Sequence, residues 1–222
     1  MDNHHSQTGE SNTLRADVYL LIAALLRQAP SQELLGFIAS LEIENNGSDM
    51  SKAWQSIITA ANKADTEQLA DEYQQLFIGI GRGEVVPFAS WHLTGSLMEK
   101  PLALIRQDLD LLGFEREDTV KEPEDHMAAI CEVMAHLAQD ASNGEQESLA
   151  NQQAFFNRHL STWFTKFTEQ VRQAQSSNFY LTVADLMDTF INIEKVMFSD
   201  KKITNKNKLK IDVKNLIDSV DS

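Results

Sequence analysis

Cysteine is nearly absent. A single one, Cys131, stands among 222 residues, so no internal disulfide forms, and its setting among Ala129, Ile130 and Met134 reads as a buried thiol rather than a nucleophile. Four prolines and nine glycines are too few for a loop-rich or low-complexity chain. No repeat of fixed period is present, which argues against a solenoid. The longest apolar run, VYLLIAALL at 18–26, is far shorter than the roughly 20 residues a membrane-spanning helix requires.

Positive charge is also scarce. Nineteen Lys and Arg stand against 33 Asp and Glu, giving −14. That balance disfavours nucleic acid, whose phosphates call for a basic face, and it disfavours an anionic membrane surface. It suits a basic partner, although solubility alone would account for it. The opening MDNHHSQTGESNT has no apolar centre of the kind an export signal carries, so a cytoplasmic protein is expected. Residues 1–12 read as a disordered N-terminus.

Helical periodicity runs through nearly everything else. Leu14, Val18, Leu21, Ile22 and Leu25 form one stripe behind a cap at Thr13, and Pro30 ends it. Ser31 opens a short segment with Leu34, Leu35, Ile38 and Leu41. Trp54, Ile57 and Ile58 mark a third helix that stops near Asn62. Leu69, Tyr73, Leu76, Phe77 and Ile80 mark a fourth, capped by Asp65 or Thr66. Further stripes run through Leu102–Leu112, through Met127, Ile130, Met134 and Leu137, and through two long helices at 147–175 and 178–199. Alternation with a period of two is nowhere sustained, so the fold class is all-α. We expect an N-terminal helical part at 13–112, a connector or hinge at 113–122 and a C-terminal helical part at 123–200. The tail 201–222 holds six Lys and three Asp. Its net +3 leaves −17 on residues 1–200, and it reads as a basic, mobile or late-docking segment.

Two places break the helical regularity. IGIGRGEVVPFASWHLTGS at 78–96 carries glycines at 79, 81 and 83, then Pro87, Ser90, Trp91 and His92. Long apolar loops of this kind tend to carry function. The second is EPEDH at 122–126, where Pro123 suits the first position of a helix and Glu124, Asp125 and His126 crowd its first turn. Capping accounts for such acids in part. A metal site at Glu122, Asp125 and His126, or at Glu132 and His136, matches neither HExxH nor the Glu-x-x-His pairs of di-iron bundles. Ser90 and His92 lack a nucleophile elbow. GIGRG lacks the Lys-Ser/Thr ending of a phosphate loop.

Taken together, EYQQLFIGIG at 72–81, the P-x-x-S-W of Pro87, Ser90 and Trp91, and EPEDH at 122–126 resemble the TorD/DmsD/NarJ family of molybdoenzyme maturation chaperones. The order and lengths of the helices over residues 13–200 fit it. The resemblance implies a single all-helical, bundle-like domain of the TorD-like type. It implies a non-enzyme that binds the twin-arginine signal peptide and the apo form of a molybdenum-containing oxidoreductase, holding it for cofactor insertion before export. The implied peptide-contacting residues are Tyr73, Leu76, Phe77, Gly79, Pro87, Ser90, Trp91, Glu124, Asp125 and His126. Family members often carry Glu or Gly before the motif serine and Tyr after it, whereas Ala89 and Trp91 stand here. A monomer or a domain-swapped homodimer is implied, with 113–122 as the hinge.

The chemistry of such a ligand agrees with those residue types. Two adjacent guanidinium groups call for carboxylates in a bidentate pose, and an apolar stretch calls for a greasy groove. On this reading Asp125, backed by Glu124 and Glu122, meets the arginines, Trp91 stacks on one of them, and His126 orients Asp125 or responds to pH. No cofactor is expected. Two other classes remain open: a guanine-nucleotide switch using the GIGRG loop, and a metal-dependent helical enzyme using Glu122, Asp125 and His126.

Overall fold

A computed structural model of the protein describes residues 2–116, 120–140 and 145–199. Its elements are α1 (Asp2–Arg27), α2 (Gln32–Ala39), α3 (Asp49–Lys63), α4 (Thr66–Tyr73), α5 (Ala89–Thr94), α6 (Lys100–Leu112), α7 (Met127–Gln139), α8 (Glu145–Phe155), α9 (Phe164–Gln173) and α10 (Phe179–Ser199). Single π-helical turns follow α4, at Gln74–Ile78, and α8, at Phe156–Leu160. The only extended pairing among the described residues is an isolated antiparallel bridge between Phe88 and His126. Among the same residues, no helix is long and apolar enough to cross a membrane.

Helix starts follow the short polar residues that satisfy unpaired N–H groups. The hydroxyl oxygens of Ser31 and Ser48 accept from Leu34 and Ser51, and the Asp65 carboxylate accepts from Glu67 and Gln68. Gly113 ends α6 in the left-handed region, at φ 76°, where a side chain would be strained. The first helix spans Asp2–Arg27, so Thr13, expected as its cap, lies inside it, as do residues 2–12.

α7 is the central element. It buries Met127, Ala128, Ile130, Cys131, Met134, Ala135, Leu137 and Ala138, a helix apolar nearly all round and hence enclosed. α1 packs along it and α10 lies against α1, α3 and α9. The resulting core is one cluster running from Ala16 to Phe198. The helical parts expected at 13–112 and 123–200 therefore share a single core, because α1 of the first packs on α7 of the second. Burial holds Cys131 as the unreactive thiol its neighbours suggested, raising its pKa.

Three polar networks stitch the helices inside this core. Glu194 of α10 receives Arg15 of α1 at 2.6 and 2.8 Å and the Tyr19 hydroxyl at 3.0 Å. Asp108 of α6 receives Arg158 at 2.8 Å and the His159 Nε2 at 2.6 Å, both from the π turn after α8. The helix expected at 147–175 is therefore not continuous. The π turn presents Arg158 and His159 to α6, and Trp163 leaves helical geometry at φ −142° with its indole N–H donating to the His159 carbonyl. The third network is centred on Glu72. Its carboxylate, buried at the end of α4, accepts from the backbone amides of Asn178, Phe179 and Tyr180 at 2.8–3.1 Å, closing the start of α10 from outside.

An anion placed on three orphan amides at a helix start is favoured both by hydrogen bonding and by the helix dipole. Glu72→Ala should cost about 2–3 kcal/mol, since hydrogen bonds to a charged group are worth roughly 1.5–3 kcal/mol. Urea unfolding followed by circular dichroism measures it; an unchanged midpoint would show that water replaces the carboxylate at no cost.

Candidate functional site

The two irregular segments of the sequence meet. The Pro87 carbonyl accepts from the Met127 amide at 2.8 Å, and the Asp125 carbonyl accepts from the Ala89 amide at 2.9 Å. These two bonds form the Phe88–His126 bridge. The Asp125 carboxylate then accepts from the Ser90 amide at 2.9 Å, supplying α5 with the cap that its own preceding residue, Phe88, lacks. Beside it, His126 caps α7, with Nδ1 accepting from the Ala128 amide at 3.1 Å. Two helices thus begin at one joint, each closed by a residue of the EPEDH motif.

This differs from the sequence reading in two respects. The helix starts at Met127, so Pro123, Glu124 and Asp125 precede it instead of filling its first turn. Asp125 is 1% exposed and turned toward α5, where its carboxylate is already engaged. The reason is local: the bridge to Pro87 and Ala89 holds 123–126 off helical geometry and directs Asp125 inward. His126 lies edge-on to Phe88 at 5.0 Å. Burial, with Arg27 adding to it, lowers its pKa to about 3. It is neutral across the physiological range and accepts a hydrogen bond, in place of the pH-responsive imidazolium expected.

Residues of the EYQQLFIGIG stretch also face inward. The Tyr73 hydroxyl lies 2.9 Å from the Arg27 carbonyl and 3.3 Å from that of Leu26, closing the end of α1. Leu76 is buried, and Phe77 packs between Tyr73 and Tyr180 with ring centres 5.2 and 5.1 Å away. The glycines make a tight return. A side-chain carbon at Gly79 would sit 2.2 Å from the Arg82 carbonyl oxygen, and one at Gly83 would sit 2.3 Å from that of Leu76. The amides of Gly79, Glu84 and Val85 donate to carbonyls of residues 74–76, which takes three donors away from any phosphate cradle. Ile78 and Ile80 project from this return, Ile80 fully exposed.

Trp91 remains half-buried on the surface, but its face is taken. The Arg82 guanidinium lies 4.8 Å from the ring centre, the stacking position the sequence reading reserved for a ligand's arginine. Its neighbour His92 faces the other way, with Nε2 2.7 Å from the Val86 carbonyl and the ring stacked on Trp163. Glu122, Asp125 and His126 do not converge: the first is an exposed residue at the groove described next, and the others are buried. Among the described residues no group of three or more His, Cys, Asp or Glu side chains is placed to hold a metal ion.

On the side of the joint where Glu122 and Glu124 emerge lies a groove of about 400 Å³ between α6, residues 114–116 and 120–124, and α7. Leu109, Phe114, Val120, Ala129 and Val133 supply apolar surface, and Glu115, Glu122, Glu124, Glu132 and His136 line it with Arg27 and Arg116. Glu124 is bound by Arg106 at 2.9 Å and faces Arg116 at 3.7 Å. Glu132 holds Arg27 at 2.5 Å. The Glu122 side chain is 48% exposed and meets Arg27 only at 3.9 Å. Sequence reasoning found Glu122 and Glu124, weighed Glu132 only as a metal candidate with His136, and missed Arg27, Leu109 and Phe114 as groove residues, which lie far apart in the chain and carry no shared spacing. It missed Arg82 and the role of Glu72 for the same reason.

A family model described as the nitrate reductase delta subunit matches residues 43–169, more than half of the chain and both irregular segments. The chain belongs to this family, that of the TorD-like chaperones. The chaperone protein TorD of Vibrio cholerae is 27% identical over 201 residues, spanning 83% of this chain and 91% of that protein. Its counterpart from Vibrio parahaemolyticus is 25% identical, with 82% and 94% covered. A crystal structure of a candidate redox enzyme maturation protein from Archaeoglobus fulgidus, 19% identical, matches with a TM-score of 0.53 over 82% of this chain and 93% of that one. At that identity it speaks to the fold, which is the TorD-like helical domain. Of the motif residues that carry the resemblance, Pro87, Ser90, Asp125 and His126 build the joint.

His126 gives the joint a pH signature. Its ordinary pKa is about 6.5 when unfolded, and in the fold it falls to about 3. Between those values the unfolded chain binds a proton that the folded chain refuses, so stability is lost as pH falls from about 6.5 toward 3 and is fully present above. His126→Gln should flatten that acid limb relative to the parent. Urea midpoints at pH 7, 6, 5 and 4 measure the difference, and equal slopes would place the titration elsewhere.

Proposed function

We propose that this chain binds the twin-arginine leader of a molybdenum-containing oxidoreductase in the groove beside the joint, on the cytoplasmic side. In doing so it holds the apo-enzyme back from export until cofactor is inserted. The observation that carries the reading is the groove's composition: apolar surface from α6 and α7 edged by Glu115, Glu122, Glu124 and Glu132. A leader offers the complement, two guanidinium groups followed by an apolar stretch. The TorD-like family, whose members compared above are named chaperones, supports binding rather than catalysis.

The buried state of Asp125 moves the recognition chemistry outward. Glu122 is the most open of the motif's carboxylates, and Glu124 already accepts arginines in the folded chain. A ligand arginine would bind there by exchange with Arg106 or Arg116, a trade of like interactions that costs little. The charge of −17 on residues 1–200 speeds encounter with a cationic leader, an effect that fades as salt screens it.

Calorimetry with synthetic twin-arginine leaders tests this. Micromolar binding is expected, weakened about tenfold (~1.4 kcal/mol) by Glu122→Lys and by raised salt. Substituting Lys-Lys for the arginine pair should weaken it as well, since an ammonium cannot bind bidentately. A folded sample that binds none of a panel of leaders overturns the proposal.

A further inference from the structure

The groove continues past the Arg27–Glu132 pair. Those two residues line it, and they also line a second hollow of about 290 Å³ in the elbow between α1 and α2. The two hollows therefore meet at the pair. Glu132 accepts from Arg27 at 2.5 and 3.3 Å, and the arginine and glutamate side chains stay 23% and 40% exposed, so the pair forms a ridge open to the surface. Beyond it, Leu20, Ala24, Pro30 and Leu34 line the second hollow, and Glu132 is the one acid among its lining residues. Leu20 is 39% exposed, as is 55% of Phe37, one turn on from Leu34 along the same face of α2. The basic tail at 201–222 lies outside the described residues; every residue of the second hollow lies within them.

Charge and length divide the two hollows between the parts of one ligand. Four glutamates border the first, where an arginine pair finds acceptors. The second offers no carboxylate except the one already holding Arg27. A paired ridge carries no net charge and the arginine stem is apolar, so an apolar chain crosses it without burying an unpaired ion. The apolar stretch of an export leader is about 7–15 residues long. A hollow of about 400 Å³ is near the lower bound of the roughly 300–1,000 Å³ that encloses one drug-sized molecule, and takes in only part of such a stretch. From Arg27 back to Leu20, α1 runs about 10 Å at 1.5 Å per residue, a length that seven residues cover even when fully helical.

We propose that the second hollow seats the leader's apolar stretch, which gives a bound leader one direction. Its arginines lie among Glu115, Glu122 and Glu124, and its apolar end lies across the ridge against Leu20, Ala24 and Leu34. This deepens the function proposed above and rests on it. The direction follows from the ligand, whose arginines precede its apolar stretch, and from the concentration of acids in the first hollow. It makes Leu20 and Ala24 determinants of which leaders fit, through the size of the side chain they admit.

Calorimetry of the full chain with two synthetic leaders tests the seat. Both carry the arginine pair, and in one the far half of the apolar stretch is replaced by serine. The parent should bind the serine leader about tenfold more weakly, the order expected for withdrawing one buried apolar side chain. Ala24→Trp, which fills the hollow from an exposed helical position, should bind the full leader about tenfold more weakly than the parent does and no longer distinguish the two. Leu20→Asp, at a second exposed position, should do the same without filling the hollow, so that one variant's failure to fold leaves the other. Equal binding of both leaders by the parent, or equal discrimination by parent and variants, overturns the seat and leaves the proposed function standing. A benzophenone placed at either end of the leader reads the direction. Links from the apolar end to residues 20–34, and from the arginine end to Leu109, Phe114 or Val133, are expected. The reverse pattern overturns the direction, and links from the apolar end to α3 or α9 overturn the seat. A folded parent that binds neither leader overturns the function proposed above and this inference with it.

Discussion

Three hydrogen bonds between residues 87–90 and 125–127 hold this protein's surface in place. Pro87 to Met127, Asp125 to Ala89 and the Asp125 carboxylate to Ser90 join a glycine-loosened loop to the start of the central helix. The carboxylate's burial makes the joint strict: an acceptor withdrawn from α5 would leave a buried N–H without a partner, at a cost of about 1–3 kcal/mol. With the joint formed, 122–124 is turned out of helical geometry and Glu122 and Glu124 are delivered to the groove. The joint therefore sets where the groove lies without contributing the Asp125 carboxylate to it.

The same logic runs through the other motif. Glu72 closes the start of α10, Tyr73 closes the end of α1, and Gly83 lets the 79–85 return pass close to the Leu76 carbonyl. Each brings together segments far apart in the chain, and each does so with a polar group that has few substitutes: a carboxylate reaching three amides, a phenol reaching across to two carbonyls, a residue with no Cβ. Residues with such demands stand out in a sequence, whereas groove residues such as Leu109 or Val133 do not. A short motif is thus a better sign of fold than of contact with a ligand.

Electrostatics divides the molecule in a similar way. Inside, each carboxylate of the three core networks has a defined partner: Glu194 with Arg15, Asp108 with Arg158 and His159, Glu72 with a helix start. Outside, the excess negative charge is spread over the surface, and at the groove it meets apolar side chains and two arginines. A general acidic surface steers cations without choosing among them. Selection requires the apolar contacts and the arginines that oppose misplaced positive charge.

Several features were legible from sequence because they follow from local rules. The all-α class came from 3.6-residue periodicity, and the starts of α2 and α4 and the end of α6 came from Ser31, Asp65 and Gly113 acting within a few residues of themselves. The buried thiol of Cys131 came from its apolar neighbours. The sequence by itself also determined which two segments break the helical pattern and which family they resemble. Only the tertiary structure decided that Asp125 points inward, that His126 is neutral, that Arg82 covers Trp91 and that the helix expected at 147–175 is interrupted at 156–163. Each of these depends on a partner between 9 and more than 50 positions away, and a side chain's charge state and direction are set by what surrounds it in space rather than by its neighbours along the chain.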